Sequence, residues 1–152
     1  MGIKSIKVKD ARRIYQVPLG TLVDTNILID VFIDDPKWAS WSIDQLERYA
    51  SLGQLIINPI ILAELSPRFA TARDLEHALS ALPIRKEQLP WDAAFLAGQA
   101  FKVYRKLMGT KLSPMPDFYI GAHAVVQNLR LMTRDTERYT HFFPRLTIIS
   151  PK

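Results

Sequence analysis

Four acids stand where a carboxylate can do chemistry: Asp24, Glu64, Asp117 and Asp135. Asp24 ends the apolar run Thr21-Leu22-Val23, and Asp135 follows Leu131-Met132-Thr133. Both runs read as buried strands, so both acids fall at or just past strand carboxyl ends. Asp117 opens a helix, where an acid also serves as a cap or first-turn residue stabilised by the helix dipole. Glu64 shares a helical face with Ile60 and Ile61, because residues three and four apart lie on one side of a helix. A carboxylate on an apolar face must find a partner or lose its charge. A structural arginine is one such partner and a metal is the other.

Oxygen ligands of this kind suit Mg²⁺ or Mn²⁺, hard cations that usually keep several waters. Such a cation lowers the pKa of a bound water and so makes a nucleophile for phosphate attack. It also neutralises charge on the transition state and the leaving oxygen. Acids alone would repel RNA, so this chemistry needs the cation. Spacing leaves open whether the four acids converge. Among the other acids Asp30, on the helix just after Asp24, is the best further candidate.

Competing chemistries find less support. There is no cysteine, which excludes disulfides, thiolate metal sites and a cysteine nucleophile. That absence is compatible with a reducing cytoplasm. No nucleophile elbow and no glycine-rich phosphate loop is present. His123 lies six residues after Asp117, roughly across the same helix, and reads as a core or surface residue. His141, beside Phe142-Phe143-Pro144, reads as structural, and His77 sits in a polar helix.

The elements that must position these residues alternate between strand and helix. Strands are expected at Thr21-Leu22-Val23, Leu55-Ile56-Ile57, briefly at Pro83-Ile84, at Leu131-Met132-Thr133 and at Thr147-Ile148-Ile149. Helices are expected from Thr25 to Phe32 and from Pro36 to about Ala50. Trp38, Trp41, Ile43, Leu46 and Tyr49 form the apolar side of the second. Asn58-Pro59 reads as the cap and first residue of the helix that carries Glu64, and Pro67 interrupts it. Further helices run from Thr71 to Leu82, from Pro90 to Met108 and from Asp117 to Leu129, with a loop over residues 109–116. This alternation implies an α/β domain with a largely parallel sheet, whose sites gather beyond strand carboxyl ends.

The chain of 152 residues fits one domain, and 48% hydrophobic content supports a core. Residues 1–20 form a basic N-terminal extension and residues 21–152 the domain proper. No apolar run is long enough to span a membrane. The net charge of +5 favours a polyanionic partner. Arg130, Arg134 and Arg138 surround the fourth acid and are candidates for RNA phosphates. Lys102, Arg105, Lys106 and Lys111 form a second basic stretch that reads as a solvated helix face. The helix with Trp38, Trp41 and Tyr49 reads mainly as core, with a dimer or partner surface as the alternative.

Four segments resemble the acidic motifs of PIN-domain nucleases, in the same order. They are Leu22-Val23-Asp24-Thr25-Asn26-Ile27-Leu28-Ile29-Asp30, Asn58-Pro59-Ile60-Ile61-Leu62-Ala63-Glu64-Leu65, Pro116-Asp117-Phe118-Tyr119-Ile120-Gly121-Ala122-His123-Ala124 and Leu131-Met132-Thr133-Arg134-Asp135. Thr147-Ile148-Ile149-Ser150-Pro151 resembles the family's closing strand. Size and layout look most like the VapC-type toxin branch. The resemblance implies a three-layer α/β/α fold and a Mg²⁺-dependent endoribonuclease leaving a 5′-phosphate and a 3′-hydroxyl. It also implies a cognate antitoxin and a homodimer. Carried over, Asp24, Glu64, Asp117 and Asp135 are the catalytic, metal-binding acids, and Asn26 and Thr133 are supporting polar groups. The alternatives are a non-catalytic nucleic-acid-binding PIN scaffold and a housekeeping RNA-processing nuclease.

Overall fold

A computed structural model describes residues 18–108 and 115–152. The expectations for most of the N-terminal extension, for Lys111 and for most of the 109–116 loop lie outside the described residues.

Strand β1 (Gly20–Val23) leads through Asp24 into α1 (Thr25–Phe32), and α2 (Ala39–Leu52) follows. Then come β2 (Gln54–Ile57), α3 (Pro59–Leu65), a 3₁₀ turn (Ser66–Arg68), α4 (Ala72–Ser80) and β3 (Ile84–Lys86). The chain continues through α5 (Trp91–Met108), α6 (Met115–Val126), β4 (Arg130–Met132), α7 (Glu137–Phe142) and β5 (Ile148–Ile149). The five strands pair in the order β3-β2-β1-β4-β5, every pair parallel. Helices cover the sheet in a three-layer α/β/α arrangement, as the alternation of elements predicts.

The order of strands locates the site before any side chain is considered. From β1 the chain steps outward to β2 and β3, then crosses back to β4 on the other side of β1. The carboxyl ends of β1 and β4 therefore flank the point where winding reverses, where α/β sheets hold their ligands. The hydrogen bond from Asp24 N to the Met132 carbonyl, at 2.9 Å, joins those two ends.

Local chemistry sets most boundaries. Asp24 caps α1 by accepting from Thr25 N at 2.8 Å. Asn58 caps α3 by accepting from Ile61 N at 3.0 Å, with Pro59 as first helical residue. Pro67 falls in the 3₁₀ turn that ends α3, and Thr71 caps α4. On α2 the inward residues are Ala39, Ser42 and Leu46, while Ile43 is exposed. The expected apolar stripe is thus displaced at one position, because buried Asp30 needs the Ser42 hydroxyl.

Helix α7 has no counterpart among the expected elements. Its inward residues are Tyr139 and, just past its end, Phe143, with Phe142 half-buried beside them. Gly121 of α6 admits the Phe143 ring: a Cβ there would stand 2.4 Å from it. Phe142 packs on Phe118 of α6 and Tyr104 of α5, with centroids 5.3 and 5.5 Å apart. This aromatic group seats α7 over the end of the sheet.

Candidate acid cluster

Asp24 is the most buried of the four acids, at 4% exposure. Its oxygens accept from Thr25 N at 2.8 Å, Thr133 Oγ1 at 2.7 Å, the Tyr139 hydroxyl at 3.3 Å and Asn26 Nδ2 at 3.4 Å. All four donors are neutral. Burial raises its pKa to about 6, against the lowering effect of the Thr133 and Thr25 hydrogen bonds, and the Glu64 charge raises it further. The sequence singled out Glu64 as the acid whose burial most needs a cation. In the structure Glu64 is only half-buried, and no arginine among the described residues pairs with it. Its Oε2 accepts from the Thr25 hydroxyl at 2.5 Å. Asp24, lodged between two central strands, carries the greater desolvation instead.

Asp117 lies in the first turn of α6. Its carboxylate is paired with the Arg138 guanidinium and accepts from the Tyr139 hydroxyl at 3.4 Å. Asp135, beyond β4, is exposed, and its backbone N–H donates to Thr133 Oγ1 at 3.1 Å. No cationic side chain among the described residues pairs with Asp24, Glu64 or Asp135.

Tyr139 bridges Asp24 and Asp117, and its place is not among the sequence expectations. Its hydroxyl contacts Asp24 and Asp117. Its pKa is raised first by burial, then by the charges of Asp24 and Glu64, and also by Asp135. The phenol therefore stays protonated and donates. The signal was present: Tyr139, Phe142 and Phe143 recur at i, i+3 and i+4, a one-sided helical pattern.

Asn26 and Thr133 stand where they brace the acids. Asn26 Nδ2 donates to Thr133 Oγ1 at 3.2 Å, and its Oδ1 accepts from Arg134 N at 3.1 Å. Thr133 Oγ1, accepting from Asn26 and Asp135, is free to donate only to Asp24. Of the three arginines that are candidates for RNA phosphates, Arg138 pairs with Asp117, and the other two also have partners within the fold. Arg134 gives Nε and Nη2 to Asp30 at 2.8 and 2.9 Å and lies over the Trp38 ring. Arg130 begins β4 at the sheet's amino edge, opposite Thr21, and stacks on Tyr49 with centroid distance 5.5 Å. Neither guanidinium stands free beside the acids.

His123 is fully buried on α6. Asn58 commits its oxygen to Ile61 N, so its Nδ2 must donate to His123 Nδ1 at 3.0 Å. That leaves the Nε2 proton to donate to Gln127 Oε1 at 3.1 Å. The histidine is a neutral strut joining the helix of Asp117 to the helix of Glu64. Burial lowers its pKa, with the Gln127 hydrogen bond and the Glu87 charge opposing.

The donor set is all carboxylate and hydroxyl oxygen, the chemistry that holds Mg²⁺ or Mn²⁺. An ionised, buried Asp24 without a cationic partner fits that chemistry. As the side chains stand, no three acidic or histidine groups among the described residues close around one metal position. The Arg138 guanidinium holds Asp117 in its own ion pair.

This is an open, all-parallel α/β domain with acids beside its winding reversal, the place where such sheets hold their ligands. The chain belongs to the PIN domain family, whose model matches residues 21–142. No curated protein matches by sequence. Among solved structures, VapBC2 of Rickettsia felis, bound to a DNA fragment from its promoter, is similar at 19% identity and TM-score 0.66. The alignment covers 86% of this chain and 97% of that one. A toxin–antitoxin complex from Klebsiella pneumoniae is 24% identical, with TM-score 0.64 and coverage of 88% and 98%. VapBC from Salmonella typhimurium, bound to DNA, is 20% identical, with TM-score 0.63 and coverage of 87% and 98%. At these identities the likeness is one of fold. Among the described residues no helix is long and apolar enough to cross a membrane.

Proposed function

We propose that the protein is a Mg²⁺- or Mn²⁺-dependent endoribonuclease of the VapC toxin type, with Asp24, Glu64, Asp117 and Asp135 as its catalytic, metal-binding acids. The observation that carries this reading is the buried Asp24 carboxylate. It sits at the winding reversal among three other acids and receives only neutral donors. Folding alone gains nothing from that arrangement, because a lone buried charge is costly. A divalent cation, when bound, would neutralise charge at the scissile phosphate and acidify the attacking water.

The chain's own residues supply orientation. Thr133, itself held by Asn26, turns one Asp24 oxygen, and Thr25 fixes both the other Asp24 oxygen and Glu64. Tyr139, kept neutral, spaces Asp24 from Asp117 without adding charge. An antitoxin partner and a homodimer belong to the same reading, supported by the folds of the toxin–antitoxin complexes and by uncovered apolar surface. At the start of α5, Trp91 is 91% and Phe95 72% exposed.

Asp24→Asn and Asp117→Asn should each lower RNA cleavage by roughly 10²–10³-fold, the usual effect of removing one electrostatic contributor, with folding retained. Full activity in both purified variants would sink the reading. Arrest of growth on expression, relieved in the same variants, would separate a toxin from a housekeeping nuclease. The Arg138–Asp117 pair favours one other reading, a scaffold that binds nucleic acid without catalysis. Calorimetric titration with Mn²⁺ separates the two, because a scaffold has no use for the cation.

A further inference from the structure

Beside the acids lies a cavity of about 500 Å³ that shares Asp135 and Arg138 with the acid cluster and whose other lining residues have no part in the mechanism above. It is lined by Tyr104 of α5, by Asp135, and by Glu137, Arg138, His141 and Phe142 of α7. A separate groove of about 400 Å³ lies on α5, lined by Gly98, Phe101, Lys102, Arg105 and Lys106. The stacked rings of Phe101 and Tyr104, with centroids 6.2 Å apart, join the two. Lys102, Arg105 and Lys106 are exposed and pair with no carboxylate among the described residues. Their spacing puts them along one side of α5.

The two hollows differ in chemistry. The cavity offers aromatic faces, with His141 edge-on to Phe142 at 4.6 Å, and both acceptor and donor groups in Glu137, Asp135 and Arg138. An unpaired nucleobase uses both, since it has a π face and an edge of donors and acceptors. The groove offers cations in a row, which suits successive phosphates. A duplex keeps its bases stacked within the helix and has none free for the cavity.

We propose that single-stranded RNA follows this path. One nucleoside sits in the cavity against His141 and Phe142, and the phosphates beyond it run along Lys102, Arg105 and Lys106. The inference rests on the nuclease reading for its substrate. It adds where the strand lies and which residues select the nucleotide beside the cleaved bond. Asp135 and Arg138 belong to both cavity and acid cluster, so a nucleoside held there presents its adjoining phosphate to the acids. Glu137 is the acceptor for an amino group on the base edge.

The test is fluorescence anisotropy of the full chain with a labelled single-stranded RNA in EDTA, where cleavage does not intervene. The triple variant Lys102→Gln, Arg105→Gln, Lys106→Gln should reduce the slope of log K against log salt by about 2, at roughly 0.7 for each phosphate no longer neutralised. His141→Ala should weaken binding about tenfold and leave that slope unchanged. Unlabelled single strand should compete better than a duplex of the same sequence. Both sets of side chains are exposed, and unchanged melting temperatures would show that folding is intact. A wild-type slope in the triple variant, wild-type affinity in His141→Ala, equal competition by duplex, or no RNA binding at all would overturn the proposal. Loss of a protein partner with RNA binding unaltered would also overturn it, by assigning the surface to that partner. Wild-type protein that binds RNA along this path but cleaves none with Mg²⁺ or Mn²⁺ would refute the nuclease reading and leave the path standing.

Discussion

Asp24 and Asp30 lie at the start and near the end of α1, and both are almost wholly buried, at 4% and 1% exposure. Asp30 receives both Nε and Nη2 of Arg134 and the hydroxyl of Ser42 at 3.1 Å. Trp38 covers the other face of that guanidinium, 5.2 Å away. This is a closed unit: charge met by charge, and donors arranged in the fork geometry that suits a carboxylate. Asp24 has four hydrogen bonds but no cation among the described residues, and its pKa rises to about 6 although the Thr133, Thr25 and Tyr139 hydrogen bonds oppose burial. One aspartate is finished by the fold. The other is left charge-deficient at the position where the sheet's winding reverses. That contrast, more than the presence of acids, marks the carboxyl edge as a site.

The sharpest way to break the contrast is to strip each aspartate of what distinguishes it. Arg134→Met removes the guanidinium paired with Asp30 and should destabilise the protein by about 3 kcal/mol, as when one partner of a buried pair is lost. Urea unfolding would measure it. A loss below about 1 kcal/mol, the range of exposed pairs, would show that Asp30 is not a closed buried unit. Asp24→Asn should act in the opposite direction. With a folded pKa raised above the unfolded value of 3.8, Asp24 contributes stability at low pH that is lost as pH rises from about 4 to about 6. In EDTA above pH 7 the asparagine variant should therefore be more stable than wild type, by roughly 2–3 kcal/mol. Destabilisation there would mean that Asp24 is structurally complete after all.

A smaller effect concerns what stands nearest Asp24. Arg138 neutralises Asp117 across the Tyr139 hydroxyl. A cation entering the cluster has to displace that guanidinium or do without Asp117. Arg138→Gln should tighten Mn²⁺ binding by roughly five- to tenfold, a modest coupling between neighbouring sites. Calorimetry reads this directly, with no RNA present. Weaker Mn²⁺ binding would instead make Arg138 a support for the acids.

Strand and helix periods were legible wherever an element owes its place to its own pattern. Helix α1 occupies the residues expected, the Asn58-Pro59 start of α3 is capped as expected, and Pro67 falls in the turn that ends it. The sequence was less informative where a neighbour decides. Helix α7 is only six residues long, and Pro144 close behind obscures its pattern. Its place depends on Gly121 and Phe118 of a helix distant in the chain, so Tyr139 went unnoticed. The order of burial between Glu64 and Asp24 was inverted for a related reason. Helical periodicity reports which face points inward, but not how deeply the crossing of β1 and β4 sinks the residue after them. The pairing of Arg134 with Asp30 is likewise not legible in the sequence, because the two are far apart in the chain.

His123 gives the smallest effect, and it separates Asp24's contribution from a background of opposite sign. A histidine with a lowered pKa contributes stability above its unfolded value near 6.5, and that stability is lost as pH falls below it. Protonation would set an N–H at Nδ1 against the Asn58 amide, whose oxygen is already committed to Ile61 N. The cap of α3, the helix bearing Glu64, would loosen with it. As pH falls below 6.5 this loss runs against the gain from protonating Asp24, so the wild-type stability curve should be flatter than either group alone would make it. Unfolding across pH 4–8 in the Asp24→Asn background should expose the histidine limb, as a steady fall in stability below pH 6.5. Adding His123→Gln, whose side-chain oxygen can accept from Asn58 without titrating, should remove that limb. A limb that persists in the double variant would place the titrating group elsewhere, with His77 and His141 the remaining histidines.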